Sequence, residues 1–288
     1  MSKLGTVITA MVTPFSEDGR SIDEVGASKL LEHLIENGSD GVVIAGTTGE
    51  APTLSDDEQV SLVQLAVSHA AGRLTIIAGA GSNDTRHAVH LTERVAAAGA
   101  DAILSVTPYY NRPEQRGIHA HFEAVASASD LPVILYNVPS RTGTDMSDEL
   151  CREIGDRNET VVGIKQARSG VPNKIDGLDL YAGNDDSFAA ALDNGAVGGI
   201  LVASHIIGKQ MRSMALEPEN RSQLDAQMRS LYDALGVTTN PIPIKAALNI
   251  LGLPAGPMRL PLVEADRDQL AHIREALINL NLIGASDR

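Results

Sequence analysis

The stretch Ala96-Ala97-Ala98-Gly99-Ala100-Asp101-Ala102-Ile103-Leu104-Ser105-Val106 holds the fold in miniature. The segment leading into it, 84–98, is amphipathic with a helical period. Ala98-Gly99 then places glycine, which tolerates a left-handed backbone, where a helix should stop. Residues 102–106 form a short apolar run that reads as a buried strand. The same helix-end signal recurs at Asn37-Gly38 and Asn194-Gly195. Apolar, β-rich runs recur at 7–12, 42–45, 74–78, 102–106, 133–136, 161–165, 178–181 and 198–202, with amphipathic segments such as 22–36, 55–71, 84–98 and 117–128 between them. Strand and helix in alternation imply a parallel sheet. Eight such units fit an α/β fold of the (β/α)8 TIM-barrel type. A doubly wound open sheet would favour a glycine-rich phosphate turn after the first strand. Thr13-Pro14-Phe15 stands there instead.

The chain continues well past the eighth run. Segments 222–235 and 266–280 read as helices, and Pro241-Ile242-Pro243 starts another at 244–251, since proline suits a helix's first turn. Leu253-Pro254-Ala255-Gly256-Pro257 and Leu260-Pro261 mark a break. The expected division is a barrel over 1–224 and a small C-terminal helical domain over 225–288.

Bulk composition narrows the function. The chain has 288 residues, 43% hydrophobic and 21% charged, which is a globular balance. A net charge of −14 argues against sequence-independent nucleic-acid binding, which needs a basic footprint. Cys151 is the single cysteine, so neither an internal disulfide nor a Cys/His zinc cluster is expected. No HExxH pair occurs among the histidines, and no metal site is expected. The longest apolar stretch, near 198–203, is far short of the ~20 residues of a membrane span. With no long apolar run at the N-terminus, a soluble cytoplasmic protein is expected.

In a (β/α)8 barrel the chemistry sits where the strands end. The sixth run, Val161-Val162-Gly163-Ile164-Lys165, ends on a lysine. Burial disfavours an ammonium and favours the neutral amine, a nucleophile for ketones and aldehydes that yields a Schiff base. The alternative is a lysine whose stem packs while its head reaches water. The other strand ends deliver Gly46-Thr47-Thr48-Gly49-Glu50, Gly79-Ala80-Gly81, Thr107-Pro108-Tyr109-Tyr110-Asn111, Tyr136-Asn137-Val138-Pro139-Ser140-Arg141 and Gly183-Asn184-Asp185-Asp186. Tyr136, on the strand before Lys165, can give and take protons as a phenol. Thr47 and Tyr110 can extend a relay to solvent. Thr48 and the turn around it suit a small carboxylate, and Arg141 can hold a carboxylate with two parallel bonds. Each also has a plainer reading: turn threonines, core tyrosines, a surface arginine. Asn184-Asp185-Asp186 reads more readily as a helix cap than as a ligand, and Lys245, in the appendage, as structural.

Taken together, Gly46–Glu50, Thr107–Asn111, Tyr136–Gly143, Gly163-Ile164-Lys165 and Asn240-Pro241-Ile242-Pro243-Ile244-Lys245 make the chain resemble the dihydrodipicolinate synthase / N-acetylneuraminate lyase family, in register from about Gly5 to Leu262. The resemblance implies a (β/α)8 barrel with a C-terminal helical domain and a lyase forming a Schiff base between Lys165 and pyruvate, with no other cofactor. It implies Tyr136 as general acid/base and Thr47 and Tyr110 as proton relay, with Tyr110 entering a neighbouring subunit's site. Thr48, Gly183 and the backbone at Ile200 would line the pyruvate pocket, and Arg141 would hold the carboxylate of L-aspartate 4-semialdehyde. Ser140-Arg141-Thr142-Gly143 points to the synthase branch of lysine and diaminopimelate biosynthesis. The alternative within the family is an aldolase or dehydratase acting on 2-keto-3-deoxy sugar acids or N-acetylneuraminate. A non-catalytic 2-keto-acid sensor would be expected to have lost Lys165 or Tyr136. A homotetramer of paired dimers is implied, binding small 2-keto acids and aldehydes. Gln166-Ala167-Arg168-Ser169 and His205 depart from the family's usual residues. Ala51, Pro52, Asp56, Gln59 and His87 stand where lysine-inhibited members place other groups, so lysine feedback is expected to be weak or absent.

Overall fold

Each of the eight apolar runs becomes one strand of a closed parallel barrel: β1 (Val7–Ala10), β2 (Gly41–Ile44), β3 (Thr75–Gly79), β4 (Ala102–Val106), β5 (Val133–Asn137), β6 (Val161–Gln166), β7 (Asp179–Ala182) and β8 (Gly198–Leu201). The computed structural model describes residues 4–284, so 1–3 and 285–288, the outer ends of the two expected segments, lie outside the described residues. Strands follow one another around the barrel in sequence order, and β8 pairs back onto β1 through Val7↔Gly199 and Thr9↔Leu201. Among the described residues the barrel has no unpaired strand edge.

Strand parity sorts the side chains. Ile8, Val43, Ile77, Leu104, Ile134, Tyr181 and Ile200 fill the barrel interior. Their neighbours Val7, Val42, Ile76, Ile103, Val133, Leu180 and Leu201 face the outer helices. This period-two alternation carries Tyr136, two residues beyond Ile134, to the inner side of the barrel. Register then sets Tyr136 beside Lys165 and Lys165 beside Tyr181.

The surrounding helices are α1 (Glu24–Glu36), α2 (Asp56–Ala70), α3 (Thr85–Ala97), α4 (Gln115–Ala126), α5 (Pro139–Thr142), α6 (Asp148–Arg157), α7 (Phe188–Asp193) and α8 (Ser204–Leu216). Their starts are written locally: Asp23 caps α1, Ser55 and Glu58 form a capping box on α2, and Asp84 caps α3. Gly38, Gly99 and Gly195 adopt φ of 84°, 96° and 90°, the left-handed stops expected of them. α1 begins two residues later than its sequence pattern suggests, because Ile22 is held in an antiparallel bridge with Phe15. α4 begins at Gln115, earlier than the expected 117.

Beyond the barrel lie α9 (Arg221–Leu235), α10 (Ile242–Ile250) and α11 (Arg267–Asn279). α10 is nearly all buried, including Lys245. The Lys245 ammonium donates to Glu50 Oε1 at 2.8 Å, Thr13 O at 3.0 Å and Pro257 O at 2.6 Å, and sits 4.5 Å from the Phe15 ring centroid. Burial pulls its pKa down, against the pull of the Glu50 carboxylate. Glu50 Oε2 also accepts the Arg259 backbone N–H at 3.0 Å. One buried ion pair thus fastens the C-terminal helices to the loop that follows β2.

Candidate active site

That loop, Ala45–Glu50, turns sharply, with both end residues at positive φ (54° and 57°). Gly79 lets it pass close by: a Cβ there would lie 2.4 Å from the Ala45 carbonyl oxygen. The turn leaves Thr48 buried and Thr47 half-buried at the barrel's C-terminal end. The Thr13 hydroxyl donates to Gly49 O at 2.7 Å, and Glu50 is held from the appendage side as described.

Lys165 ends the inner row of β6, only 5% exposed, with its Nζ 4.4 Å from the centroid of the Tyr136 ring. Tyr136 is itself buried, and its carbonyl accepts both the Thr107 N–H at 2.9 Å and the Thr107 hydroxyl at 3.0 Å. A primary amine and a phenol are therefore packed against one another in a low-dielectric pocket on rigid strands, a placement that suits imine chemistry and the proton transfers it needs. Thr47, Thr48, Tyr136, Arg141, Lys165 and Gly183 share the walls of one cavity of about 850 Å³. Gly183 admits no side chain, since a Cβ would lie 2.7 Å from that of Ala167. Ile200 is fully buried in the barrel's inner layer on β8.

Arg141 lies on α5, started by Pro139, and its guanidinium donates to Asn240 O at 3.1 Å. Tyr110 is not brought to this cavity: it holds φ 72° and stands 90% exposed, while Tyr109 lines an adjoining cavity of about 410 Å³. The adjoining cavity shares Thr47, Tyr136 and Arg141 and runs out past Ala51, Pro52, Gln59 and His87. His87 Nε2 meets Asp56 Oδ1 at 2.9 Å, and its Nδ1 meets Ser82 Oγ at 3.1 Å.

Two residues in this region were not read as site residues from the sequence. Asp185 caps, but not its own segment. Its Oδ1 accepts the N–H groups of Val202 at 2.9 Å and Ala203 at 3.1 Å, at the turn from β8 into α8. Burial pushes its carboxyl up to about 6, while those two hydrogen bonds and the Lys165 charge oppose the shift. Asn240 reaches from the appendage, its Nδ2 donating to the Thr48 hydroxyl oxygen at 2.9 Å. The motif Asn240–Lys245 was visible, but a contact across 192 positions has no periodic signal.

The residues that depart from the family pattern are structurally committed. Gln166 Oε1 accepts from Asn137 Nδ2 at 3.0 Å. Arg168 pairs with Asp145 at 2.8 Å and Asp148 at 2.6 Å. The buried His205 ring accepts the Val12 N–H at Nε2 (3.1 Å) and donates from Nδ1 to Val202 O (2.8 Å). Desolvation holds it down to about 4, so it is neutral at pH 7. Among the described residues no group of three or more His, Cys, Asp or Glu side chains is arranged to hold a metal ion. Nor is any helix among them long and apolar enough to cross a membrane.

Known proteins resemble the chain over nearly its whole length. The sequence pattern of the dihydrodipicolinate synthetase family matches residues 3–280. A 4-hydroxy-tetrahydrodipicolinate synthase of Dehalococcoides mccartyi is 42% identical over 289 residues, covering 96% of this chain and 97% of the relative. One from a Thermoanaerobacter species is 38% identical over 286 residues, covering 95% and 96%. The crystal structure of a dihydrodipicolinate synthase from Cyanidioschyzon merolae with lysine bound superposes with a TM-score of 0.93 at 40% identity, covering 97% of this chain and 99% of that one. A chloride-inhibited synthase from Acinetobacter baumannii complexed with pyruvate gives a TM-score of 0.93 at 37% identity, covering 98% and 100%.

Proposed function

This chain belongs to the dihydrodipicolinate synthetase family, and we propose that it acts as a 4-hydroxy-tetrahydrodipicolinate synthase, condensing pyruvate with L-aspartate 4-semialdehyde through a Schiff base on Lys165. The observation that carries the reading is the Lys165 amine, buried at the end of β6 with its Nζ 4.4 Å from the Tyr136 ring centroid.

The Lys165 nitrogen adds to C2 of pyruvate, and Tyr136 passes a proton to the carbonyl oxygen and then helps it leave as water. Loss of a C3 proton gives an enamine, whose carbon attacks the aldehyde of the second substrate to form the new carbon–carbon bond. The amino group of that substrate then attacks C2, closes the ring and expels Lys165 as the free amine. The protonated imine is itself the electron sink, so the sequence of steps calls for neither a metal nor a dissociable cofactor. Thr48, with Gly183 and the Ile200 backbone, holds the pyruvate carboxylate. Arg141 holds the carboxylate of the aldehyde substrate at the rim. Thr47 links Tyr136 outward.

Tyr110 completes the relay from a neighbouring subunit of a homotetramer. Its 90% exposure in the single chain and its strained φ of 72° support a partner role outside its own cavity. The proposal includes a cytoplasmic setting. Pyruvate supplied with L-aspartate 4-semialdehyde, with 2-keto-3-deoxy sugar acids, or with N-acetylneuraminate as alternative substrate tests the function. Turnover confined to the semialdehyde is expected, and a preference for either sugar-acid substrate refutes the reading.

A further inference from the structure

The Thr48 hydroxyl is buried, and its oxygen accepts a hydrogen bond from Asn240 Nδ2 at 2.9 Å. A hydroxyl has one proton to give. With the amide donating to the oxygen, that proton is left over, and among the described residues it has no acceptor. The side chain is thus pre-set as a donor toward the cavity that it shares with Lys165. The same Asn240 holds a second binding group by a different atom: its backbone carbonyl accepts from the Arg141 guanidinium at 3.1 Å. Thr48 follows β2, Arg141 follows β5, and Asn240 belongs to neither; it arrives from the turn before α10. α10 is in turn anchored by Lys245 to Glu50, two residues beyond Thr48.

We propose that Asn240 is a positioning residue that fixes the direction of the Thr48 hydroxyl, so that its proton points at the carboxylate of the bound 2-keto acid. This rests on the function proposed above. The effect is one of preorganisation: a donor already oriented toward an anion loses no rotamer freedom and breaks no competing bond when the ligand arrives. Because Arg141 is held by a main-chain oxygen, changing the Asn240 side chain removes the Thr48 contact and spares the Arg141 contact.

Asn240→Asp tests this. The replacement keeps shape but presents only acceptors when ionised, so the Thr48 proton turns toward residue 240 and away from the substrate. The KM for pyruvate should rise about ten- to a hundredfold, the range of one hydrogen bond to a charged group, while the KM for the aldehyde changes much less. Asn240→Ala removes the donor without reversing it and should fall between parent and Asn240→Asp. Thr48→Val deletes the donor. In the Thr48→Val/Asn240→Asp double variant the two effects should not add, because both act on one proton. An unchanged pyruvate KM in Asn240→Asp, or full additivity in the double variant, overturns the proposal. Borohydride trapping of the parent with pyruvate is run alongside. A parent that forms no adduct on Lys165 sinks the functional reading itself, whereas an adduct with an unmoved KM in Asn240→Asp sinks only the role of Asn240.

Discussion

Lys245→Met should weaken the fold by about 3–5 kcal/mol, the cost of removing one partner from a buried ion pair. The structure supplies the reason. Lys245 and Glu50 are both fully buried at the side chain and meet at 2.8 Å. Without the ammonium, Glu50 keeps, among the described residues, only the Arg259 N–H, and the carbonyls of Thr13 and Pro257 lose the donor they share. Methionine fills the volume and the Phe15 contact but satisfies none of these three acceptors. Urea or thermal unfolding followed by circular dichroism reads the loss directly. At about 2–4 °C per kcal/mol for a chain a little smaller than this one, the midpoint should fall by roughly 10 °C. Glu50→Gln in the same background should restore part of that, because it removes the stranded charge while leaving the Arg259 bond an acceptor. Glu50 ends the turn that carries Thr47 and Thr48, so the pyruvate KM should rise in Lys245→Met even where the protein is folded. A midpoint within about 1 kcal/mol of the parent would refute the reasoning, since the pair would then be replaceable without consequence.

Acid should unfold the protein partly through His205 and His121, both held down to about 4 by burial. In the unfolded chain they titrate near 6.5, so stability is unaffected above that value, falls as pH drops toward 4 and levels off below; each contributes about 3 kcal/mol of loss. A His205→Asn variant should lose less stability between pH 7 and 4 than the parent does, and an equal loss would contradict the assignment. Arg141→Ala should raise the KM for the aldehyde substrate roughly ten- to a hundredfold while leaving pyruvate trapping on Lys165 intact; an unaltered aldehyde KM removes Arg141 from the site. Inhibition by L-lysine should be weak or absent, and half-inhibition well below millimolar would overturn that expectation.

The barrel was legible because its signals are local. Each strand is a short apolar run, and a glycine after a helix fixes a stop whatever the rest of the chain does, as at Gly38, Gly99 and Gly195. Lys165 and Tyr136 stood out because a lysine or tyrosine at the end of a buried strand lies at the C-terminal end of a barrel wherever parity holds. α6 was not read, because its ten residues bury only Leu150, Cys151 and Ile154 among charged neighbours. Asp185 looked like the cap of the segment that it begins, whereas its carboxylate serves the turn after β8, a connection that depends on strand order around the barrel. Asn240 was hidden for a related reason. Its motif reads as helix initiation, and the side-chain amide finds Thr48 only once the appendage has folded over the strand ends.

Borohydride reduction in the presence of pyruvate, followed by peptide mass mapping, bears most directly on the chemistry. A single reduced pyruvyl adduct on Lys165, absent from a Lys165→Arg variant that also lacks turnover, is the expected result. An adduct on another lysine, or parental turnover by Lys165→Arg, would contradict it.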